Sequence, residues 1–348
     1  MASPKTKIRV VIADDSLVAR EMLSQILASD PGIEVVGLAA NGLEAVELVE
    51  RLHPNLVTMD IHMPTMNGLE ATERIMAFHP TPILVVSSSV YGEGMGQAFD
   101  ALKLGALEVI KKPEPREWAD LERIGRDVLR KVKVLSKVRV ITHIRGRREH
   151  LRTLERELPT DVTSRGIVAI GSSTGGPSAL LSVFESLPCD LRVPVLVAQH
   201  IADGFVPGLV SWLNAGSGIN VVVAEEGAVP EAGTAYIAPT GTNMVIESQR
   251  IQLVEPTSGQ LYIPSADTLF ESITRSFGKR SVGVILTGMG ADGATGLRRM
   301  HERGAATIAQ DEESCTVFGM PKAAIELGAV DRVLPLIDIG SAIAELVG

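Results

Sequence analysis

Short apolar runs alternate with amphipathic stretches along the first third of the chain. Five runs are rich in Val, Ile and Leu, namely IRVVIADD, IEVVGLA, LVTMD, ILVVSS and LEVIKKP. Each is followed by a stretch with the apolar spacing of a helix. Continuous apolar runs of this length are typical of parallel strands whose two faces are both buried. Five strand–helix units therefore predict a doubly wound parallel sheet of the α/β class.

The same alternation restarts at Gly166. Seven further runs predict strands: GIVAIG, VPVLVAQH, INVVVAE, TAYIAP, SVGVILTG, ATIAQD and AVDRVLP. Helical spacing is present in PSALLSVFESL, FVPGLVSWLNAG, ADTLFESITRSFG and ADGATGLRRMHERG, whereas IQLVEP and residues around Asn243 predict a hairpin. We therefore expect two doubly wound parallel-sheet domains, a five-unit domain and a larger α/β domain.

A stretch rich in Lys and Arg separates the two patterns. Apolar periodicity weakens between about Val132 and Arg165, where KVRV and RGRREHLR occur. We predict a first domain over residues 1–130, a charged linker over 131–165 and a second domain over 166–348. The linker is either a solvated connector or a basic docking surface, and a charge run alone does not decide between them.

Composition narrows the class of protein. The chain has 348 residues, of which 45% are hydrophobic and only 3% aromatic, so the cores must be built from aliphatic side chains. The formal net charge of −9 argues against nucleic acid as a partner. Two cysteines, Cys189 and Cys315, are typical of reduced thiols. Because no apolar run reaches the roughly 20 residues of a membrane span and no signal peptide is visible, we expect a cytoplasmic protein without direct membrane insertion.

Polar side chains end the strands of the first domain. Asp14 and Asp15 follow the first strand and Asp60 follows the third. Ligands of such sheets bind at the carboxyl ends of the strands, and clustered carboxylates there favour Mg²⁺. Ser87 ends the fourth strand and Lys112 follows the fifth, where they would hydrogen-bond and pair with a phosphoryl group on Asp60. The pattern predicts a phosphoryl-accepting site.

A second candidate site begins at the turn GSSTGG. Its G-x-S-x-G spacing places Ser173 between a strand and a helix, where neighbouring N–H groups stabilise an oxyanion. His200 ends the next strand and is the candidate base, whereas His301 lies between charged residues on a helix and is predicted to be a surface group. Asp292, in the glycine-rich loop after VILTG, is the candidate acid that orients the base, and Asp203 is a weaker alternative.

Two other interpretations of the glycine-rich turn fit poorly. A dinucleotide fingerprint needs G-x-G-x-x-G and an acid at the end of the next strand, but that strand ends in Gln199 and His200. A phosphate-binding P-loop needs a G-K-[ST] sequence, which the turn lacks. The order Ser, His, Asp also differs from the Ser, Asp, His order of ordinary α/β-hydrolases.

Residues 8 to about 128 resemble the receiver domain of two-component response regulators. The likeness rests on the acid pair, the segment DIHMPTMNG, the strand-end serine and the Lys-Pro pair. The resemblance implies that Asp60 accepts a phosphoryl group from a sensor histidine kinase, with Mg²⁺ as cofactor. One departure is Val109, three residues before Lys112, where the family usually has an aromatic side chain.

Residues 166 to about 346 closely resemble the catalytic domain of chemotaxis protein-glutamate methylesterases. IGSSTGGPSAL, VAQHI, YIAPTGTNM, PSADTLFESI, ILTGMGADGATGL and AQDEESCTVFGMPKAA carry the likeness. The resemblance implies that Ser173 is the nucleophile, His200 the base and Asp292 the orienting acid. It also places Thr174 and Met289 at positions linked to oxyanion stabilisation, Met289 through its backbone N–H.

The resemblance further implies a substrate and a mode of control. The substrates would be glutamate γ-methyl esters on the cytoplasmic helices of methyl-accepting chemoreceptors, with methanol as product and glutamine deamidation as a second activity. The esterase reaction would need no cofactor. The receiver would block the cleft until it is phosphorylated. Ser172 stands where the family often has alanine, and we expect it to be a neighbour of the nucleophile.

Two other functions compete with this interpretation. A response regulator with a DNA-binding output is disfavoured by the acidic net charge and by the lack of a basic recognition helix. A catalytically silent docking scaffold is disfavoured by the presence of Ser173, His200 and Asp292 together. A DNA-binding assay and a serine-directed covalent probe distinguish these alternatives.

Overall fold

The structure of the chain is a computed structural model that describes residues 7–88, 95–113, 118–140 and 165–348. It divides into two compact units, Met1–Arg148 and Glu149–Gly348. Most of the predicted linker, residues 141–164, lies outside the described residues. None of the helices in the described part of the chain has the length and apolar character needed to cross a bilayer.

The first unit is a five-stranded parallel sheet with strand order β2-β1-β3-β4-β5. Its strands are β1 (Ile8–Ala13), β2 (Ile33–Ala39), β3 (Leu56–Met59), β4 (Ile83–Ser87) and β5 (Glu108–Lys111). Its helices are α1 (Leu17–Ala28), α2 (Gly42–Leu52), α3 (Gly68–Phe78), α4 (Met95–Lys103) and α5 (Trp118–Leu135). The predicted boundary at residue 130 falls inside α5, which ends at Leu135.

Side-chain caps start the helices that follow the strand-end acids. The Ser16 hydroxyl accepts a hydrogen bond from the Ala19 N–H at the beginning of α1. Asn67 and Glu70 form a capping box at the beginning of α3, each satisfying a backbone N–H. These caps fix where each loop ends, and so they fix the loops in which Asp15 and Asp60 lie.

The second unit is a seven-stranded parallel sheet with strand order β14-β13-β12-β6-β7-β9-β8. Its strands are β6 (Ile167–Ser172), β7 (Val195–Gln199), β8 (Asn220–Val223), β9 (Thr234–Ile237), β12 (Ser281–Ile285), β13 (Ala306–Gln310) and β14 (Arg332–Leu334). An antiparallel hairpin is formed by β10 (Asn243–Glu247) and β11 (Arg250–Val254). All seven predicted strands and the hairpin are confirmed.

Helices cover this sheet and complete the second unit. They are α6 (Gly176–Glu185), α7 (Val206–Gly216), α8 (Ala266–Phe277), α9 (Ala294–Glu302), α10 (Met320–Glu326) and α11 (Leu336–Val347). The last two helices were not predicted from the sequence. The central strands β6, β7, β12 and β13 are fully buried and mostly aliphatic, and Phe184 and Phe270 are among the few large aromatic side chains of the core. The two doubly wound α/β sheets expected from the sequence are therefore present.

Candidate functional site

The strand-end acids of the first unit form one cluster. β1 and β3 pair in register, with Ala13 opposite Met59, so the next residues, Asp14 and Asp60, come together at the carboxyl edge. Asp14, Asp15 and Asp60 each offer a carboxylate oxygen, and these oxygens lie within 4.8 Å of one another. Asp14 and Asp60 are buried, whereas Asp15 is exposed. The donor set consists of hard oxygen atoms, which fits Mg²⁺ held by all three carboxylates.

A single lysine pairs with both buried acids. The Lys112 Nζ lies 2.8 Å from an oxygen of Asp14 and 2.8 Å from an oxygen of Asp60. Burial raises the pKa of Asp60 above its ordinary value, and the opposing effects of Lys112 and of the Ile61 N–H do not cancel that rise. Burial alone would lower the pKa of Lys112, but its hydrogen bonds to Asp14 and Asp60 raise it.

Ser87 lies beside this cluster. It ends β4 opposite Lys111 of β5, its side chain is buried, and its carbonyl accepts a hydrogen bond from the Lys112 N–H at 2.9 Å. Val109 is a buried side chain of β5. The predicted residues are thus gathered at the carboxyl ends of four neighbouring strands.

Ser173 lies in a tight turn between β6 and α6 in the second unit. Gly175 adopts φ 76°, and a Cβ at this position would lie 2.4 Å from the Thr316 hydroxyl, so both conformation and space require glycine. The Ser173 N–H donates to the Thr287 carbonyl at 3.0 Å. Ser173 retains 9% of its surface exposed. The sequence prediction of a serine at a strand-to-helix turn is confirmed.

His200 and Asp292 meet at the same edge of the sheet. β6 and β7 pair with Ser172 opposite Gln199, so Ser173 and His200 are the next residues of two adjacent strands. The His200 Nε2–H donates to Asp292 Oδ2 at 2.9 Å. The other ring nitrogen of His200, Nδ1, is buried and has no hydrogen-bond partner among the described residues.

Asp292 also accepts hydrogen bonds at the N-terminus of α8. Its two oxygens accept hydrogen bonds from the Ser265 hydroxyl at 2.9 Å, the Ala266 N–H at 2.7 Å and the Asp267 N–H at 3.2 Å. Burial alone would raise the pKa of Asp292, but His200 and the donors of the helix end hold it below its ordinary value. Asp292 is therefore a buried carboxylate that stays ionised.

Gln199 is a functional neighbour that the sequence analysis missed. Its side chain is 1% exposed, and its amide N–H groups donate to the Ser173 carbonyl at 2.9 Å and to the His200 carbonyl at 2.8 Å. The Ser172 hydroxyl donates to its amide oxygen at 2.6 Å. Gln199 thus joins the backbones of the two candidate catalytic residues, and Ser172 fixes which way its amide points.

A second buried network of hydrogen bonds supports the turn that contains Ser173. The Thr287 N–H donates to the Gln310 side chain at 2.8 Å, and the Thr287 hydroxyl donates to the Thr174 carbonyl at 3.0 Å. Among the described residues, the backbone N–H groups of Thr174 and Met289 have no hydrogen-bond acceptor. These two groups remain available to a ligand.

The alternative residues have other partners. The Asp203 carboxylate accepts from the Thr240 hydroxyl at 2.6 Å, whereas His200 bonds Asp292. His301 is only half-buried, and its Nδ1 lies 3.1 Å from the Asp331 carboxylate, so it is a paired group and not a simple surface histidine. Both cysteines are free, and burial raises the pKa of the Cys315 thiol to about 12, so it is a poor nucleophile.

Comparisons with known proteins identify the family of the chain. Residues 168–343 match the model of the CheB methylesterase family, and residues 10–120 match the response regulator receiver domain. The chain is 44% identical over 99% of its length to protein-glutamate methylesterase/protein-glutamine glutaminase 2 of Anaeromyxobacter dehalogenans (strain 2CP-C), 99% of which is covered. It is also 44% identical over 97% of its length to protein-glutamate methylesterase/protein-glutamine glutaminase 4 of Geobacter metallireducens (strain ATCC 53774 / DSM 7210 / GS-15), 99% of which is covered.

A solved structure matches the second unit. The crystal structure of the Thermotoga maritima CheB methylesterase catalytic domain has a TM-score of 0.51 and 36% identity, and the match covers 53% of this chain and 100% of that one. The chain belongs to the CheB methylesterase family of enzymes and carries a response regulator receiver domain before its catalytic domain.

Proposed function

We propose that this chain hydrolyses glutamate γ-methyl esters on the cytoplasmic helices of chemoreceptors and that phosphorylation of Asp60 activates it. The observation that carries the proposal is the pairing of His200 with Asp292 at the strand edge where Ser173 begins its turn. The names of the similar enzymes supply the substrate class and add glutamine deamidation as a second activity.

The proposed reaction uses the two nitrogens of His200 for different tasks. Nε2 is engaged by Asp292, so Nδ1 is the atom left to take the proton of the Ser173 hydroxyl. The Ser173 Oγ then forms a bond to the ester carbonyl carbon, the bond to the methoxy oxygen breaks, and His200 returns the proton to the leaving methanol. Water hydrolyses the resulting acyl-enzyme by the same proton path, which restores Ser173 and leaves a glutamate carboxylate.

Backbone groups would stabilise the charge that develops in this reaction. The N–H groups of Thr174 and Met289 lie on the two loops that flank Ser173, and neither has an acceptor among the described residues. Preorganised N–H donors of this kind contribute about 3–4 kcal/mol to acyl-transfer transition states. Asp292 stays ionised and stabilises the imidazolium form of His200.

Asp60 is the proposed phosphoacceptor of the receiver. Its carboxylate would attack the phosphorus of a phosphorylated histidine of a sensor kinase, forming an acyl phosphate as the phosphorus–nitrogen bond breaks. A bound Mg²⁺, held by Asp14, Asp15 and Asp60, would offset the negative charge of the phosphoryl group. Lys112 already pairs with Asp60 and would pair with that group, and Ser87 lies on the neighbouring strand to hydrogen-bond it.

The test compares two neighbouring serines. Methanol release from methylated receptor membranes is measured with full-length enzyme, Mg²⁺ and acetyl phosphate. We expect Ser173→Ala to lower the rate by at least about 1,000-fold, because no other group replaces the nucleophile. Ser172→Ala removes only the hydroxyl that orients Gln199 and should retain much of the activity. The opposite ranking of the two variants would refute the assignment of the nucleophile.

A further inference from the structure

The loop between β11 and α8 is tied to the catalytic edge at several points. Asn243 and Gln260 exchange hydrogen bonds through their side-chain amides, at 2.9 and 3.2 Å. The Asn243 amide oxygen also accepts the Ser265 N–H at 2.8 Å. The loop is thereby fixed near both of its ends, and the residue between these ties that faces the site is Tyr262.

Tyr262 covers one face of the His200 ring. The two rings are stacked almost parallel, with centroids 4.9 Å apart and an angle of 8° between their planes. The hydroxyl end of Tyr262 packs against the backbone of Gly290, because a Cβ at that glycine would lie 2.4 Å from the oxygen. Gly290 adopts φ 96° and lies in the loop that carries Met289 and Asp292.

The two contacts of His200 constrain it in different ways. The hydrogen bond to Asp292 holds one edge of the imidazole but still lets the ring rock about that bond. A flat side chain stacked on the ring sets the plane and so sets the direction in which Nδ1 points. Nδ1 is the nitrogen left for proton transfer, and proton transfer depends steeply on direction and distance.

We infer that Tyr262 is a positioning residue that holds the plane of His200 for proton exchange with Ser173. The flat ring does this work, and the hydroxyl is secondary. This inference rests on the proposed role of Ser173 as nucleophile. The β11–α8 loop, which is fixed by the Asn243–Gln260 pair, would thereby hold Tyr262 against the catalytic base His200.

A fluorophosphonate probe tests the inference on the full-length chain, with Mg²⁺ and acetyl phosphate present so that the receiver is phosphorylated, and without the protein substrate. The labelling rate of Ser173 at saturating probe is separated from the apparent affinity for the probe. We expect Tyr262→Leu to lower the saturating rate by about 10-fold to 100-fold, with little change in affinity, because a misdirected base slows the chemistry. Tyr262→Phe and Tyr262→Trp keep a flat ring and should remain within a few-fold of the wild type.

Leu261→Ala is the matched control. Leu261 precedes Tyr262 in the same loop, but 89% of its surface is exposed. We expect its labelling rate to equal that of the wild type. Thermal unfolding of each variant is measured in parallel, and a rate that follows melting temperature and not the presence of a flat ring would overturn the inference.

The outcomes separate the two hypotheses. Labelling of Ser173 in the wild type at a rate equal to that of Tyr262→Leu would overturn the role of Tyr262 and leave the nucleophile intact. Absence of labelling at Ser173 in the wild type would overturn the proposed nucleophile and the inference together. Slow labelling confined to Tyr262→Leu, with rescue by Tyr262→Phe, would support the inference.

Discussion

Asp60 and Asp292 are both buried carboxylates at the carboxyl edge of a parallel sheet, but their surroundings shift their pKa values in opposite directions. Asp60 has one backbone donor, the Ile61 N–H, and one cation, Lys112, and burial keeps its pKa raised. Asp292 accepts from His200, one hydroxyl and two N–H groups at a helix N-terminus, and its pKa is lowered.

The difference shows how one side chain serves two kinds of chemistry. Four donors use the oxygen lone pairs of Asp292, which suits an acid that only orients and stabilises another group. Asp60 has fewer donors, so an oxygen remains available to form a bond, and its neighbours are the charges that a phosphoryl group would meet. Burial alone does not separate the two roles, because both residues are buried.

The largest expected effect comes from replacing Asp60 with asparagine. Asp60→Asn replaces the carboxylate proposed to bond phosphorus with an amide that is not a nucleophile, so incorporation from acetyl phosphate with Mg²⁺ should fall from one phosphoryl group to none. Intact-protein mass spectrometry measures this mass change. Asp292→Asn is the crossed control and should be phosphorylated like the wild type. Incorporation that persists in Asp60→Asn would contradict the assignment.

The corresponding replacement of Asp292 should slow the esterase reaction. Asp292→Asn replaces an oxygen by an amide that donates where the surroundings also donate, and it removes the charge beside His200. We expect the rate of methanol release to fall by about 10³-fold to 10⁴-fold. Asp203→Asn is the control, since Asp203 bonds Thr240 and should change the rate little. Equal losses in the two variants would refute the distinction.

Separating the two units tests whether the receiver restrains the esterase. A fragment beginning at Thr163 retains Arg165, whose guanidinium donates to the Ser281 carbonyl at 3.0 Å. We predict methanol release about 5-fold to 100-fold faster than from the unphosphorylated full chain, the range of ordinary allosteric coupling. Phosphorylation of the full chain should raise its rate to that of the fragment or beyond. A fragment no faster than the full chain at matched concentration and folding would exclude inhibition by the receiver.

The smallest expected effects are changes in the free energy of unfolding. Asp60→Asn and Asp292→Asn should change this free energy in opposite directions. A raised folded-state pKa means that ionised Asp60 destabilises the fold at neutral pH, so Asp60→Asn should increase the free energy of unfolding at pH 7. That gain should shrink as pH falls through the raised pKa, because the wild-type carboxyl then takes up a proton.

Asp292 should behave in the opposite way. Its lowered folded-state pKa contributes stability that is present above the unfolded-state value, about 3.9, and is lost as pH falls through the folded value. Asp292→Asn should therefore reduce the free energy of unfolding at pH 7. Urea unfolding of full-length variants between pH 4.5 and 7 measures both signs, and shifts of the same sign would contradict the comparison.

The sheets and the strand-end residues could be predicted because periodicity and strand polarity act locally. Parallel strands bring their carboxyl ends to one edge, so Asp14 and Asp60, or Ser173 and His200, meet without any knowledge of tertiary contacts. The helices α10 and α11 were missed. α10 has only seven residues, and α11 has Gly340 in its interior, so neither carries a strong helical signal.

The supporting residues of the catalytic edge could be predicted only in part. Gln199 and Gln310 each end a fully buried apolar strand, and a lone amide at such a position is a signal that could have been used. Tyr262 and Ser265 gave no such signal. They reach the site through a loop whose course depends on the Asn243–Gln260 pair, and that pairing is a tertiary contact between residues 17 positions apart.

Asp292 is bound to the N-terminus of α8, so the temperature at which activity is lost should depend on the stability of that helix terminus. Helix ends open at lower free energy than sheet cores. Opening the first turn of α8 would remove the Ala266 and Asp267 donors from Asp292, and the acid would then hold His200 less firmly. Warming should therefore inactivate the hydrolase reversibly while the seven-stranded sheet is still folded. The protein would then lose its esterase activity at a lower temperature than the one at which its core becomes exposed and prone to aggregation.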